Sequence, residues 1–195
     1  MARAFVNWGK TVKTRPSSWH EPTSEDEIVE LVRTAARERQ RIRVVGAGHS
    51  WSAIAAPEQI GISLDRHAGI VDLDANNRRV TVRAGTRLRD LNEALDAAGF
   101  ALPIVGSIAA QSIAGLTATG THGSSLVHGN IASFVDRMRL IDGCGDIVVL
   151  EGERLDGARV HLGALGIVTE LRLAIVPKFS LAESVERIPI GDLPE

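Results

Sequence analysis

Apolar residues recur along this chain with two periods, and the places where one period gives way to the other mark its elements. After Pro22, the run Thr23-Ser24-Glu25-Asp26-Glu27-Ile28-Val29-Glu30-Leu31-Val32 begins with capping hydroxyls and sets acids in the first turn. Apolar residues then fall at helical spacing, which predicts a helix to about Arg39. Ile42–Val45 is short and β-branched and reads as a strand, as do Ile60–Leu64 and Ile70–Leu73. Asn76-Asn77 signals a turn, and Arg79-Val80-Thr81-Val82-Arg83-Ala84 alternates like a strand with one buried face. One small αβ unit therefore ends near Leu73 and a second begins. Thr86 to Leu95 returns to helical spacing, with Gly99 where a C-cap glycine belongs. Val135–Asp142 and Asp146–Leu150 predict a hairpin around Gly143-Cys144-Gly145, and Gly166–Val176 a long strand that Pro177 ends.

Composition narrows the partners. A chain of 195 residues with 44% hydrophobic content builds one substantial domain or two small ones. Its formal net charge is −2 and its basic residues are dispersed, so it carries no electrostatic footprint for nucleic acid or an anionic membrane. Small molecules become the expected partners. Cys144 is the sole cysteine, which excludes an intrachain disulfide and leaves no thiolate set for zinc or iron–sulfur; a reducing, cytoplasmic setting is expected. Met1 to Trp8 lacks the apolar core of a secretory signal. Ala101–Ala118 has the length of a membrane span, yet contains Pro103, Gly106, Ser107, Gln111, Ser112 and Gly115, and reads as buried, cofactor-facing chain.

The chemistry concentrates in Arg43-Val44-Val45-Gly46-Ala47-Gly48-His49-Ser50-Trp51. Gly46 and Gly48 can take φ > 0 without steric cost, so successive N–H groups can turn inward around an anion such as a pyrophosphate. The generic counterpart is the dinucleotide fingerprint G-x-G-x-x-G, and Asp65 lies near the distance of a ribose-binding acid. Trp51, however, stands at the third glycine position, where that fingerprint needs close helix–strand packing. A nucleotide loop and a plain glycine turn both fit the loop alone. Two further segments bear on the choice. Pro103 to Ile108 contains Gly106-Ser107 and leads into a small-residue run, Gln111-Ser112-Ile113-Ala114-Gly115-Leu116-Thr117-Ala118-Thr119-Gly120-Thr121-His122-Gly123, able to approach a flat ligand or simply to pack tightly. Ala158-Arg159-Val160-His161-Leu162-Gly163-Ala164-Leu165-Gly166-Ile167-Val168-Thr169 sets another glycine-punctuated loop before a strand.

The order G-x-G-H-S, G-S, G-T-H-G and L-G-x-L-G-I-V resembles the flavin enzymes of the vanillyl-alcohol oxidase superfamily, from about Asn7 to Phe179. More narrowly it is similar to the sugar-lactone and alditol oxidase branch, with its gulonolactone, arabinonolactone, xylitol and alditol oxidoreductases. The resemblance implies a PCMH-type FAD-binding domain over 1–180, made of two α+β subdomains (about 1–73 and 74–180) with FAD between them. Residues 181–195 would begin a linker to a substrate-binding cap domain that is absent here. It implies that the loop Val45–Trp51 carries the FAD pyrophosphate, and that His49 is bonded covalently to the 8α-methyl carbon of the flavin. Neutral imidazole is a nucleophile available near pH 7. By the same resemblance Gly106 and Ser107 lie beside the isoalloxazine ring. Ser112, Gly115, Thr117, Gly120, Thr121, His122 and Gly123 lie near flavin or diphosphate, and Ile167 and Val168 near the adenosine end. A small residue at Gly106 would leave a passage for dioxygen; a turn that requires glycine is the other reading of that position.

The implied activity is oxidation of a CH–OH group of a sugar lactone or polyol by hydride transfer to flavin N5, with dioxygen or another acceptor reoxidising the flavin. No general base is assigned, because in this family the cap supplies it. A non-catalytic flavin module completed by a partner chain is the competing reading, and a nicotinamide enzyme resting on Gly46, Gly48 and Asp65 a third. His122 and His128 lack a third ligand at suitable spacing, so no metal is expected. The uncapped face is expected to expose apolar surface or to be covered by self-association.

Overall fold

The computed structural model describes residues 3–192. The chain opens with a hairpin, β1 (Phe5–Val6) and β2 (Lys13–Thr14), followed by β3 (Ser18–His20), α1 (Glu25–Arg37), β4 (Ile42–Val45) and β5 (Ile60–Ser63). It continues through β6 (Ile70–Asp74), β7 (Arg79–Arg83), α2 (Leu88–Ala97), β8 (Phe100–Ala101) and α3 (Ile113–Ala118). It closes with β9 (Val135–Ile141), β10 (Ile147–Glu151), α4 (Glu153–Asp156), β11 (Ile167–Ala174) and β12 (Val176–Pro177). Two sheets dominate: a parallel three-stranded sheet ordered β3-β5-β4, and an antiparallel five-stranded sheet ordered β10-β9-β11-β7-β6. The last three residues of the expected linker, 193–195, lie outside the described residues, and 181–189 form no regular element.

The helix that starts at Glu25 is capped as its sequence predicts: Ser24 Oγ accepts from Glu27 N–H at 3.2 Å, and Glu27 reaches back to Thr23 N–H at 2.8 Å. Its apolar stripe, Ile28, Val29, Val32 and Ala35, is buried. It ends two residues before the expected Arg39. Arg39 takes the left-handed conformation (φ 55°), and Gln40 N–H donates to Ala35 O at 2.8 Å, closing the helix in a Schellman turn usually built on glycine. In α2 the turn residue is the expected Gly99 (φ 81°). The hairpin at Gly143-Cys144-Gly145 is also in place, with Ile147 opposite Ile141.

Sheet membership differs from the sequence reading at one point. The sequence places Ile70–Leu73 as the strand that closes the first unit; the strand Ile70–Asp74 instead pairs antiparallel with β7 in the five-stranded sheet, so the chain has already crossed before Ile70 and position 73 lies within that hairpin. The two halves share one core, in which Ile28 and Ile62 pack in the same cluster as Val80, Leu91, Met138 and Leu171. A polar rivet joins them as well. Thr169 falls at a register shift of β11, out of step with β9, and its buried hydroxyl donates to Glu25 Oε1 at 2.7 Å. Arg139 on β9 grips the same carboxylate with Nε (2.8 and 3.1 Å) and Nη2 (2.7 Å). The Arg139 hydrogen bonds hold the Glu25 carboxyl below its ordinary range against the opposing effect of burial, with Thr169 adding to the lowering.

Candidate cofactor site

Parallel strand β4 delivers the glycine loop to the edge of the small sheet. Gly48 has φ 70°, as the loop motif requires. Gly46 does not take positive φ; it is glycine because an added Cβ would sit 2.5 Å from Ser112 Oγ. Gly115 faces the same hydroxyl, with its Cβ position 2.9 Å away. Loop and α3 thus approach each other closely, and a side chain at either position would have to displace the Ser112 hydroxyl. Among the described residues, no protein acceptor takes the backbone N–H groups of Ala47, Gly48 and His49. Three successive free donors in a turn are an anion-binding concavity.

The N-terminal hairpin braces this loop from outside. Trp8 N–H donates to Gly48 O at 2.8 Å, Asn7 Nδ2 to Ser50 O at 3.0 Å and Thr11 Oγ1 to Trp51 O at 3.0 Å. The Trp8 indole stacks on the His49 imidazole, with centroids 5.6 Å apart and planes 25° apart. Trp51 sits edge-on to Trp8 at 5.9 Å and is 64% exposed. No α-helix follows the loop, only the short 3-10 turn Ala53–Ala55. Asp65 is ion-paired with Arg87. A dinucleotide fingerprint needs a helix N-terminus at the third glycine position, so the nicotinamide reading lacks its structural context.

A cavity of about 410 Å³ opens beside the loop. The structure brings together around it Val45, Gly46, Ala47, Gly48, His49, Ser50, Ser112, Gly115, Ile167 and Val168 of the expected set. Its lining includes α1 and β4 residues Val32, Ala35 and Val44, the end of β9 with Asp142-Gly143, and the segment His161–Gly166. At Gly143 and Gly163 an added Cβ meets nothing within 4 Å. Small walls, free N–H donors and an apolar end suit an extended dinucleotide such as FAD, with loop Ala47–His49 on its diphosphate.

The other expected residues form a separate cluster. Gly106, Ser107, Gly120, Thr121, His122 and Gly123 do not line the cavity, and neither do Trp51 and Thr117. The Thr117 hydroxyl is buried and donates to Ile113 O and Ala114 O inside α3. A Cβ on Gly123 would lie 2.6 Å from Val105 O, and one on Gly106 would lie 2.9 Å from the Thr121 methyl. Packing therefore accounts for glycine at 106 without any appeal to dioxygen. His122 Nδ1–H donates to Gly123 O at 2.8 Å, and His128 packs edge-on against Phe134. In the stretch 101–118, expected to be buried, Ser107–Ala110 stands at the surface.

Sequence reasoning missed His161 as a site residue. It lines the cavity, and its Nδ1 accepts the Gly163 N–H at 3.0 Å, so the neutral ring carries its proton on Nε2. Burial pushes its pKa below the ordinary histidine value. The turn that places it is left-handed at Leu162 (φ 54°) and Gly163 (φ 79°), a conformation costing roughly 1 kcal/mol at the leucine. A strained non-glycine residue beside a cavity is a signal of function that only coordinates reveal.

Similarity to known proteins agrees with this geometry. The sequence pattern of the FAD binding domain family matches residues 16–151. D-arabinono-1,4-lactone oxidase of Eremothecium gossypii is 38% identical over 192 residues, covering 94% of this chain and 36% of that protein. L-gulonolactone oxidase of Scyliorhinus torazame is 34% identical over 185 residues, covering 93% of this chain and 42% of the relative. The chain thus spans between about a third and two fifths of the length of the curated relatives it matches. A solved structure of alkyldihydroxyacetonephosphate synthase superposes with a TM-score of 0.77 over 85% of this chain and 32% of its own, at 20% identity, which shows a shared fold. Glycine loop, cavity and family match converge, and the chain belongs to the FAD binding domain family.

Proposed function

We propose that this chain is the flavin-holding part of an oxidoreductase that oxidises a CH–OH group of a sugar lactone or alditol, and that His49 is the point of covalent attachment to FAD. The observation that carries the reading is His49 itself: it lines the cavity at the end of three consecutive backbone N–H groups that no protein acceptor uses. The relatives' names, lactone oxidases of the D-arabinono and L-gulono series, supply the substrate class. When bound, the flavin supplies the hydride-accepting chemistry. The chain's own residues do the holding. Ala47–His49 donate to the diphosphate, Gly46 and Gly115 let the loop and α3 close on each other beside it, and His161 offers Nε2–H from another part of the lining. Dioxygen is the proposed final electron acceptor, after the relatives' designation as oxidases.

Acid precipitation tests the attachment. Yellow colour should stay with the denatured protein, and His49→Ala should release all of it while still binding flavin reversibly; colour lost to the supernatant from the unaltered protein overturns the linkage. Anaerobic mixing of flavin-loaded protein with D-arabinono-1,4-lactone, an L-gulonolactone or an alditol tests the substrate class, which fails if none bleaches the flavin.

A further inference from the structure

The N-terminal hairpin raises a question of its own. Phe5–Thr14 lies ahead of the family-matched segment 16–151 and lines no part of the cavity, yet among the described residues the three hydrogen bonds that leave it end on residues 48, 50 and 51. Asn7, buried to 3% exposure, is the pivot: its Nδ2 also donates to Thr11 Oγ1, and its Oδ1 accepts Val12 N–H. The Phe5 ring lies 3.5 Å from the Cβ position of Gly48. Trp8 stays 61% exposed, so its indole adds little to the core. Its aromatic neighbours are the face of His49 and the edge of Trp51, and Trp51 in turn lies over Gly9, where a Cβ would be 2.9 Å from the ring. Scattered surface aromatics are ordinary. An exposed indole stacked within 25° of parallel on one loop histidine, on a residue whose backbone N–H is tied to the carbonyl just before that histidine, is a fixture.

We infer that Trp8 is a positioning residue for His49, holding the imidazole plane so that a ring nitrogen is presented to the flavin methyl carbon. The inference rests on the reading of His49 as the attachment residue. In that step the imidazole nitrogen forms a bond to the methyl carbon, and one proton leaves the methyl group and one leaves the ring. The electron pair of the broken C–H bond stays on the flavin until dioxygen, the oxidant, takes it with two protons as hydrogen peroxide. Two properties of Trp8 assist. The stack removes rotational freedom that a histidine on a glycine loop otherwise retains, and the indole face favours the positive charge that develops on the attacking imidazole.

The test separates attachment from binding. Apoprotein from a riboflavin-starved host is incubated with saturating FAD, and samples are quenched in acid and followed by flavin fluorescence of the denatured band. Trp8→Leu should slow attachment by about tenfold or more, as misplacement of a reacting group does, and Trp8→Phe should restore most of the rate because a stacking face remains. In a His49→Ala background, Trp8→Leu should leave the dissociation constant for FAD within about twofold, a change of no more than about 0.4 kcal/mol. Attachment by Trp8→Leu at the unaltered rate overturns the inference, as does a slowing matched by an equal loss of FAD affinity. If the unaltered protein itself retains no flavin in acid, the assignment of His49 falls, and the inference with it.

Discussion

Gly46 and Gly48 stand two residues apart and are glycine for different reasons. Gly48 supplies a left-handed turn; Gly46 supplies empty space against Ser112. The first reason is legible in the motif itself, because a phosphate loop needs positive φ somewhere. The second is not, since Ser112 reaches Gly46 only through the tertiary fold. The distinction has a measurable consequence. Gly46→Ala places a methyl 2.5 Å from Ser112 Oγ, and overpacking of this kind costs roughly 1–3 kcal/mol. Transmitted to the loop, it should weaken FAD binding by about tenfold or more in a fluorescence-quenching titration. Ser112→Ala removes the offending oxygen and leaves Ser112 Cβ at an ordinary 3.8 Å, so the double variant should recover most of the affinity. An unchanged titration for Gly46→Ala alone would show that the Ser112 hydroxyl turns aside and that this contact does not set the loop's conformation. His161 marks the limit of sequence reading at this scale: its segment stood out for its glycines, while the residue that lines the cavity sat just ahead of them.

Elements were legible where a single period ran long. The stripe of α1, the alternation of β7 and the glycine cap of α2 are local properties, and each appears where the pattern puts it. Misreadings occur where the deciding contact is remote: Arg39 closes α1 in a glycine-like conformation, and Ile70–Asp74 joins the sheet of its hairpin partner rather than that of its predecessor. The Glu25–Arg139–Thr169 rivet is the extreme case, joining a helix start to two strands more than a hundred residues later. It also makes α1 a fixed wall of the cavity. Because the folded-state pKa of Glu25 is depressed, its contribution to stability is fully present above the unfolded carboxylate value, about 4.3, and is lost as pH falls through the lower folded value. Glu25→Gln should therefore destabilise the protein by roughly 1–3 kcal/mol at pH 7, the range for hydrogen bonds to a charged group. Thermal unfolding of both proteins should show the gap closing below about pH 4. A gap independent of pH would mean that shape, not charge, ties the helix to the sheet.

For the whole molecule, the cavity is where the two sheets contribute to a single site. The glycine loop leaves the parallel sheet, while Asp142-Gly143 and Ile167-Val168 belong to the ends of the antiparallel one. A ligand that engages only the loop would touch one sheet's contribution; FAD, with a diphosphate between two extended arms, is long enough to reach both. The order of glycine motifs along the chain foretold the ligand class, but not that residues 141–143 and 161–168 would line one space with α1. Linkage turns this into a prediction. A ligand bound only by the folded state, at one hundred times its dissociation constant, adds about 2.7 kcal/mol, which for a domain of this size raises Tm by roughly 5–10 °C. FAD should produce that shift in His49→Ala protein, where binding is reversible. FMN, lacking the adenosine arm, should give a clearly smaller one at equal concentration. His161→Ala should lower the FAD shift by the worth of about one hydrogen bond, roughly 1 kcal/mol or 2–4 °C, measured from the variant's own unliganded Tm, which should itself fall by a similar amount because the Gly163 N–H loses its ring acceptor. Equal shifts with FMN and FAD, together with no effect of His161→Ala on the FAD shift, would confine the ligand to the glycine loop and remove the His161 segment from the site.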